Sequence, residues 1–406
     1  MKKIFTIFVG LFAVSIAFGQ DCTGGRYYTE IFSTLDSTMN TTYGIAPSGQ
    51  SLEFDLWKPS GDAATDRPVI ILAHGGSFIA GSKDDATIRA LCRHFARMGY
   101  VAVSMEYRLL GLDSVFLSTN LEKTFLNHVY RAVHDQMALV RYFRKNHSEG
   151  NSLGINPNLI IVGGISAGAL LSIHTAYMDD PAKLPALIDL GIDGGFYGAS
   201  GNPGFSSVPQ AVINYCGAIK DTLILEAGDQ PFVSIHGTAD DVVPYGTDYA
   251  RPMPGVDLTL ISGSGDMKKR ADHIGVPNPL HTYYGAGHCE FWNTAAKIDT
   301  TTQFVQNFLE QQICVAHLYQ EELSNKLYVA TYPNPTNSVL NVDLGFTSHD
   351  VNLQIINAQG TVVWTKKLAA GTQQVSIQEF EKLATGVYWL KIDAGDRNNI
   401  QKIIRN

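Results

Sequence analysis

The amino-acid sequence predicts an α/β protein with a doubly wound, mostly parallel sheet, followed by a smaller all-β region. Three observations lead to this prediction. Continuous apolar runs of strand length alternate with segments of helical spacing between residues 51 and 312. Runs of this kind are typical of parallel strands that are buried on both faces. Beyond residue 323 the helical spacing stops and short β runs replace it.

Seven strands and four helices are predicted in the first part of the chain. The strands fall at residues 52–57, 68–73, 100–105, 159–163, 211–215, 232–235 and 281–284, and the helices at 85–98, 135–146, 167–177 and 301–312. Loops with histidine, serine, aspartate and glycine follow several of these strands. Since open parallel sheets carry their sites at the carboxyl ends of the strands, we expect the functional residues in these loops.

Composition limits the classes of partner. The chain has 406 residues, of which 45% are hydrophobic and 17% charged, so it can bury a large core. Its 30 basic and 38 acidic residues leave a net charge of -8, and no basic block interrupts the acidic balance. A nucleic-acid partner is therefore excluded, because phosphate binding needs clustered Lys and Arg.

The first residues predict export. Met1, Lys2 and Lys3 are followed by an uncharged run over residues 4–18, and small residues precede Gln20. This pattern is that of a signal peptide over residues 1–19, with Gln20 as the mature start. The run is shorter than the roughly 20 apolar residues that a membrane span needs, so no membrane span is expected.

The predicted nucleophile is Ser166. It lies in Gly164-Ile165-Ser166-Ala167-Gly168, between a predicted strand and a predicted helix. The G-x-S-x-G nucleophile elbow requires this context, in which the glycines permit a strained turn that exposes the serine oxygen. The alternative is an ordinary tight turn, since the chain has 38 glycines. The flanking strand and helix favour the elbow.

A loop that can bind an oxyanion follows an earlier strand. His74-Gly75-Gly76-Ser77-Phe78 is similar to the HGGG loop, whose backbone N–H groups approach the substrate oxygen. Gly75, Gly76 and the amide of Ala167 are the predicted donors. Ser77 occupies the position of the third glycine, so whether the Gly76 or the Ser77 amide points inward is left open.

The predicted acid and base lie after later strands. Asp240 belongs to the loop that begins at His236, and neighbouring Asp241 is the alternative acid, expected to be solvated or to cap the turn. His288 ends Gly-Ala-Gly-His before the closing helix and is the predicted base; the other histidines are expected to be structural. The order Ser166, Asp240, His288 is that of the α/β-hydrolase triad.

Together with Tyr107-Arg108-Leu109, these motifs resemble the α/β-hydrolase carboxylesterases over residues 51–311, nearest the hormone-sensitive-lipase-like and feruloyl-esterase-like branches. The resemblance implies hydrolysis of carboxylic esters through an acyl-enzyme, with no cofactor and no metal. GISAGA departs from the common GDSAGG, which leaves the subfamily open. The alternatives are a serine peptidase of the same fold and a non-catalytic binding module.

The substrate is left open among acetylated or feruloylated polysaccharide, lipid esters and polyesters. Residues 194–205, rich in Gly, Tyr and Phe, are expected to shape the acyl or the alcohol pocket.

The end of the chain resembles the C-terminal sorting domain of the type IX secretion system of Bacteroidota. The matching residues are Tyr332-Pro333-Asn334-Pro335, the turn at 357–360, the segment 383–388 and the basic end. The resemblance implies a small β-sandwich domain that the secretion machinery binds, and a protein that passes through the periplasm and is secreted or held on the outer cell surface. The alternative is a carbohydrate-binding module, although Trp364 and Trp389 are the only tryptophans in this region. The predicted divisions are 1–19, 20–322 and 323–406.

The chain has five cysteines, and an odd number leaves at least one unpaired. We expect disulfides between Cys22 and Cys92 and between Cys289 and Cys314, with Cys216 buried and free. The alternative, that all five are reduced, is left open.

Overall fold

The computed structural model describes residues 22–191, 193–315, 329–344, 349–395 and 397–406. The predicted signal peptide, residues 1–19, and the predicted division at 322/323 lie outside the described residues. Within these ranges every helix is too short or too polar to cross a lipid bilayer.

Eighteen strands and six α-helices are assigned in the described residues. The strands are β1 (Leu35–Ile45), β2 (Ser51–Pro59), β3 (Arg67–Ala73), β4 (Val101–Met105), β5 (Ile155–Ile165), β6 (Ala211–Tyr215), β7 (Ala218–Ile219), β8 (Phe232–Gly237), β9 (Thr247–Tyr249), β10 (Leu260–Gly263), β11 (Leu280–Tyr283), β12 (Val329–Tyr332), β13 (Leu340–Leu344), β14 (Val351–Asn357), β15 (Val362–Leu368), β16 (Gln374–Ile377), β17 (Gly386–Ala394) and β18 (Arg397–Arg405). The helices are α1 (Ala86–Arg97), α2 (Leu112–Phe116), α3 (Leu121–Ser148), α4 (Ala167–Tyr177), α5 (Ser264–Ile274) and α6 (Ala295–Glu310).

The first part of the chain forms an eight-stranded sheet in the order β1-β2-β4-β3-β5-β6-β8-β11. The β1/β2 and β2/β4 pairs are antiparallel and the five remaining pairs are parallel. One apolar cluster contains residues of α3, α4 and α5, and a second contains residues of α1 and α6. Helices therefore cover both faces, and the predicted α/β-hydrolase fold with a doubly wound sheet is confirmed.

Helix α3 begins at Leu121, well before the predicted start at residue 135. Its first half buries polar side chains, which interrupt the apolar spacing on which the prediction depended. His128 Nε2 lies 2.9 Å from the carbonyl oxygen of Arg108, and the Asn127 amide donates to the Leu187 carbonyl at 2.9 Å. Buried polar groups that are hydrogen-bonded fit a helix as well as apolar ones do. Strand β1 was not predicted because its mostly exposed edge position leaves no apolar alternation.

The end of the chain forms two antiparallel sheets, β12-β13-β16 and β15-β14-β17-β18. Alternate residues of β14 and β17 are buried, and they enclose one apolar cluster together with residues of β13 and β16. Two sheets around a shared core form a β-sandwich, as the sequence predicts. We call residues 329–406 the tail.

The tail contacts the hydrolase part through a buried carboxylate. Asp343 on β13 accepts a hydrogen bond from the Phe196 amide at 3.1 Å and another from the Tyr332 hydroxyl at 3.1 Å. Gln374 donates to the Tyr332 hydroxyl at 2.6 Å. At Gly195, whose φ is +81°, a Cβ atom would lie 2.8 Å from that hydroxyl, so only glycine allows this close approach.

Residues 194–205 therefore lie in a different place from the one expected. Together with β13 and residues 373–374 they enclose a cavity of about 220 Å³ between the hydrolase part and the tail. The expectation that this segment shapes the acyl or alcohol pocket is wrong, because none of its residues lines the cavities that reach Ser166.

The predicted disulfide pairs are also wrong. Cys22 is bonded to Cys314, and Cys216 is bonded to Cys289, with Cα atoms 6.0 and 5.9 Å apart. Cys92 is the free cysteine, and it is buried on the apolar face of α1. Burial raises the pKa of the Cys92 thiol well above its ordinary value.

The physical reason is the parallel sheet. Cys216 follows β6 directly and Cys289 lies in the loop after β11, and the carboxyl ends of parallel strands meet at one edge. Sequence reasoning placed Cys289 with Cys314 because the closing helix begins nearby, but α6 carries the chain away from that edge to Cys22.

Candidate active site

Ser166, the predicted nucleophile, lies at a sharp turn between β5 and α4. Its backbone has a φ of 56°, in the left-handed region that non-glycine residues seldom adopt. The Ser166 amide donates to the Tyr215 carbonyl oxygen at 2.9 Å, which ties the turn to the end of β6. A strained backbone held by its neighbours is characteristic of the nucleophile elbow.

The two glycines of the motif are required by close packing. A Cβ atom at Gly164 would lie 2.5 Å from the Ala73 carbonyl oxygen, and one at Gly168 only 2.2 Å from it. Any side chain at either position would push the turn away from β3. The spacing G-x-S-x-G therefore follows from how tightly the elbow packs against the neighbouring strand.

His288, the predicted base, lies within hydrogen-bond distance of Ser166. Its Nε2 atom is 2.9 Å from Ser166 Oγ, and its Nδ1 atom is 2.7 Å from Asp240 Oδ2. The carboxylate only accepts hydrogen bonds, so Nδ1 carries the proton and Nε2 is free to take one from the serine. The structure thus brings together the three residues that the sequence predicts as a triad.

Asp240 lies in the loop after β8, and four hydrogen-bond donors surround its carboxylate. Its Oδ1 atom accepts hydrogen bonds from the amides of Val242 and Val243 at 2.9 and 2.8 Å, and its Oδ2 atom faces both His288 and His236 Nε2, the latter at 3.3 Å. Burial raises the pKa of Asp240, but the hydrogen bonds from His236 and His288 outweigh burial and hold that pKa well below its ordinary value. The carboxylate is therefore ionised wherever the imidazole needs an anionic partner.

His236 is a partner that sequence reasoning assigned only to loop structure. Its Nε2 atom lies 2.9 Å from the Val243 carbonyl oxygen, which can only accept, so this nitrogen carries a proton. Ser264 Oγ lies 2.8 Å from Nδ1 and completes the ring's hydrogen bonds. The signal was present in the sequence, because His236 and Asp240 are four residues apart at the end of one strand.

Asp241, the alternative acid, is exposed on the wall of an open cleft. The geometry therefore places Asp240, and not Asp241, beside the imidazole.

The glycine loop after β3 lies against the elbow. The Cβ position of Gly75 is 3.4 Å from Ser166 Cβ, and Gly75, Gly76, Ser77 and Ser166 line the same cleft. Gly76 has a φ of +116°, and a Cβ atom there would lie 2.0 Å from the Ala80 carbonyl oxygen. Among the described residues, the amides of Gly75, Gly76, Ser77 and Ala167 donate to no protein acceptor.

The start of this loop is held from behind by an aromatic stack. The His74 ring lies on the Tyr107 ring with centroids 4.3 Å apart, and the Tyr107 hydroxyl donates to the His74 carbonyl at 2.8 Å. His74 Nδ1 lies 2.7 Å from the Gly75 carbonyl oxygen, which turns that carbonyl toward the imidazole. Next to Tyr107, Arg108 pairs with buried Asp135 and with Asp193.

Two cavities reach Ser166 from different sides. The first is a narrow cavity of about 80 Å³ whose walls are almost wholly apolar, and Phe78, Leu126, Tyr130 and Met178 line it. The second is an open cleft of about 900 Å³ that is lined by more polar groups and by His288. We call them the narrow cavity and the open cleft.

Cys216, His288 and Cys289 are the group of metal-ligating side chains found in the described part of the chain. Both sulfur atoms belong to the Cys216–Cys289 disulfide, which leaves one imidazole. Such a group does not fit a metal, because thiolates and not disulfide sulfurs bind metals strongly.

Two family models match separate parts of the chain. Residues 54–194 match the family model BD-FAE, and residues 330–406 match the secretion system C-terminal sorting domain. An AB hydrolase superfamily protein of Schizosaccharomyces pombe is 28% identical over 176 residues, which are 42% of this chain and 45% of that protein. The chain thus spans less than half the length of that curated relative.

Solved structures of an esterase are also similar. Thermogutta terrifontis esterase 2 phosphorylated by paraoxon has a TM-score of 0.48 and 21% identity, over 68% of this chain and 94% of that chain. Its propionate-bound form has a TM-score of 0.47 and 21% identity, over 67% and 93%. The family matches bear out both predicted resemblances, because residues 54–194 match BD-FAE and residues 330–406 match the sorting domain.

Proposed function

We propose that the protein is a secreted serine carboxylic-ester hydrolase that acts through an acyl-enzyme intermediate. One observation carries the proposal: Ser166 Oγ, the His288 ring and the Asp240 carboxylate form a continuous hydrogen-bonded chain, with distances of 2.9 and 2.7 Å. A serine next to an imidazole that is oriented by a carboxylate is the arrangement that activates a hydroxyl nucleophile.

The first half of the reaction follows from these contacts. Ser166 Oγ attacks the ester carbonyl carbon while His288 Nε2 takes the hydroxyl proton. The negative charge on the carbonyl oxygen is met by backbone amides, for which Gly75, Gly76 and Ala167 are the assigned donors. His288 Nε2 then protonates the leaving alcohol, and the acyl group stays on Ser166.

The second half repeats these steps with water. His288 removes a proton from a water molecule, which attacks the acyl carbon, and the proton returns to Ser166 as the acid leaves. Asp240 remains ionised throughout and stabilises the imidazolium through Nδ1–H. Its lowered pKa and its two backbone hydrogen bonds suit this role.

The two cavities divide the substrate between them. The leaving oxygen must lie within reach of His288 Nε2 to be protonated. Since His288 lines the open cleft and does not line the narrow cavity, we assign the alcohol to the cleft and the acyl group to the narrow cavity. A compact apolar acyl group on a bulky or polymeric alcohol fits these dimensions.

Secretion through the tail is part of the same proposal. The sorting-domain match and the β-sandwich support export by the secretion machinery to the outside or to the outer cell surface. The predicted signal peptide would supply the first step, into the periplasm.

A panel of soluble esters tests the chemistry. We expect p-nitrophenyl esters to be hydrolysed, with the rate falling as the acyl chain outgrows the narrow cavity, and p-nitroanilides of the same acyl groups to react far more slowly. Paraoxon should label Ser166, located by peptide mass spectrometry, and EDTA should leave turnover unchanged. Faster cleavage of the anilides would favour a peptidase, and an inert protein that paraoxon does not label would favour a binding module.

A further inference from the structure

The Cys216–Cys289 disulfide lies beside the proposed base. Cys289 follows His288 directly in the chain, and its Sγ atom is 3.6 Å from His288 Nε2. Cys216 follows the last residue of β6. The bond therefore joins the loop that carries the imidazole to the end of an interior strand of the sheet.

The strand end is a firm anchor. The Tyr215 carbonyl accepts the Ser166 amide at 2.9 Å, and the Cys216 amide donates to the Ile235 carbonyl of β8 at 2.8 Å. Two adjacent residues thus hold the nucleophile turn and the strand that leads to Asp240. The covalent bond from Cys216 to Cys289 therefore fixes the position of the His288 loop relative to the Ser166 turn and to β8.

The loop after β11, which carries His288, has few backbone hydrogen bonds to the rest of the sheet. Strand β11 lies at the edge of the sheet, and among the described strands it pairs only with β8. The loop is tied to the Asp240 loop up to Ala286, whose carbonyl accepts the Ala239 amide at 2.9 Å. Among the described residues, the backbone N–H groups of residues 287–289 donate no hydrogen bond. The His288 side chain contacts Asp240 and Ser166, but the disulfide is the covalent tie that holds the backbone of these residues to the sheet.

We infer that the Cys216–Cys289 bond is a positioning element that holds His288 at proton-transfer distance from Ser166. This inference rests on the proposed function. Without the bond the fold persists, but the imidazole moves relative to the serine, and a misplacement of about 1 Å can cost about 100-fold in rate. Proton transfer is affected more than binding of the acyl group, because neither cysteine lines the narrow cavity.

The chain offers a matched control in its second disulfide. Cys22 and Cys314 join the start of the described chain to the turn after α6, and neither lines a cavity that reaches Ser166. The test compares Cys216→Ala/Cys289→Ala with Cys22→Ala/Cys314→Ala. Circular dichroism and the melting temperature report folding, and kcat and KM are measured with a soluble p-nitrophenyl ester.

For the variant without the Cys216–Cys289 bond we expect kcat to fall about 10- to 100-fold, with KM changed by no more than about twofold. The control variant should keep its kcat even where its melting temperature falls. Equal kcat values in the first variant and the wild type would overturn the inference. Losses of kcat that follow the melting temperature in both variants would also overturn it, because the bond would then be merely structural.

Reversible reduction supplies a second readout. Cys289 lines the open cleft and is accessible to a dithiol. In the Cys22→Ala/Cys314→Ala protein, dithiothreitol should convert the remaining disulfide to two thiols while it is oxidised to its cyclic disulfide, and kcat should fall. Reoxidation should restore kcat, whereas a kcat unchanged by full reduction would overturn the inference.

The proposed function is judged separately with Ser166→Ala. If Ser166→Ala is inactive while the protein without the Cys216–Cys289 bond has full kcat, only the positioning role fails. If Ser166→Ala keeps its activity, the proposed function fails, and the positioning role fails with it.

Discussion

Two buried carboxylates, one at the candidate active site and one where the tail contacts the hydrolase part, respond to burial in opposite ways. Asp240 is 8% exposed and Asp343 is 4% exposed. Burial raises the pKa of both, yet the pKa of Asp240 lies well below its ordinary value, whereas the pKa of Asp343 is raised to about 6.

The difference lies in the partners. His236 and His288 both donate hydrogen bonds to Asp240, and both rings also favour its ionised form electrostatically. Two backbone amides donate to the same carboxylate. Among the described residues, the donors to Asp343 are neutral, namely the Tyr332 hydroxyl, the Phe196 amide and the Gln374 side chain, and they do not offset desolvation. With similar burial, Asp240 at the candidate active site therefore stays ionised, whereas Asp343 at the tail contact titrates with a pKa of about 6.

The largest expected effect is at the nucleophile. Ser166→Ala should leave a folded protein whose kcat is lower by about 10⁴- to 10⁶-fold, and His288→Ala should cost about as much. Removing both should cost no more than removing one, since the residues act as a unit. Steady-state kinetics on a p-nitrophenyl ester measures the loss, and substantial turnover in either variant would rule out the proposed mechanism.

The next effect separates the two neighbouring acids. Asp240→Asn replaces the anion with a neutral amide and should lower kcat by about 10³- to 10⁴-fold, because the imidazole loses both its orientation and its charge partner. Asp241→Asn is the matched control, since it alters an exposed side chain, and should cost at most a few-fold. If the Asp241 variant were the inactive one, the assignment of the acid would be wrong.

Removing the tail should affect chemistry little and export greatly. A chain that ends at Asn325 should keep kcat/KM on a small soluble ester within a few-fold, because none of the groups around Ser166 comes from the tail. In the native host the shortened protein should accumulate in the periplasm. Unchanged secretion with activity lost only on insoluble polymer would instead identify the tail as a binding module.

The smallest effect concerns pH at the tail contact. Because the pKa of Asp343 is raised to about 6 from an ordinary value of 3.8, its contribution to stability is full below about pH 4 and is lost as the pH rises through about 6. Asp343→Asn stays neutral and should remove this dependence. Relative to the variant, the wild-type melting temperature should fall by about 2 °C or more between pH 4 and pH 7.

Asp350→Asn is the control for that measurement. Asp350 lies on the same tail but is exposed, and its ion pair with Lys367 is at the surface. Over the same range, pH 4 to pH 7, its difference from the wild type should change much less. A pH dependence equal to that of the Asp343 variant would show that tail charge in general, and not the buried contact, is responsible.

Much of the site could be predicted from the sequence because its chemistry is encoded locally. Ser166 sits between two glycines that its own turn requires, and Asp240 and His288 lie in the loops after β8 and β11. A five-residue motif fixes a backbone turn, and strand periodicity places the motif at the carboxyl edge of a parallel sheet. The order of elements and the class of fold follow from the same local patterns.

Contacts between distant segments depended on tertiary structure. Cys22 pairs with Cys314 across 292 residues, and Cys216 pairs with Cys289 across 73, although the predicted elements favoured other partners. The docking of Asp343 on the Phe196 amide likewise has no local signature. Periodicity and turn residues report the conformation of a few neighbouring residues. The disulfides depend instead on which chain segments the folded sheet brings to one edge. The pKa of a buried carboxylate depends on the groups that face it after folding.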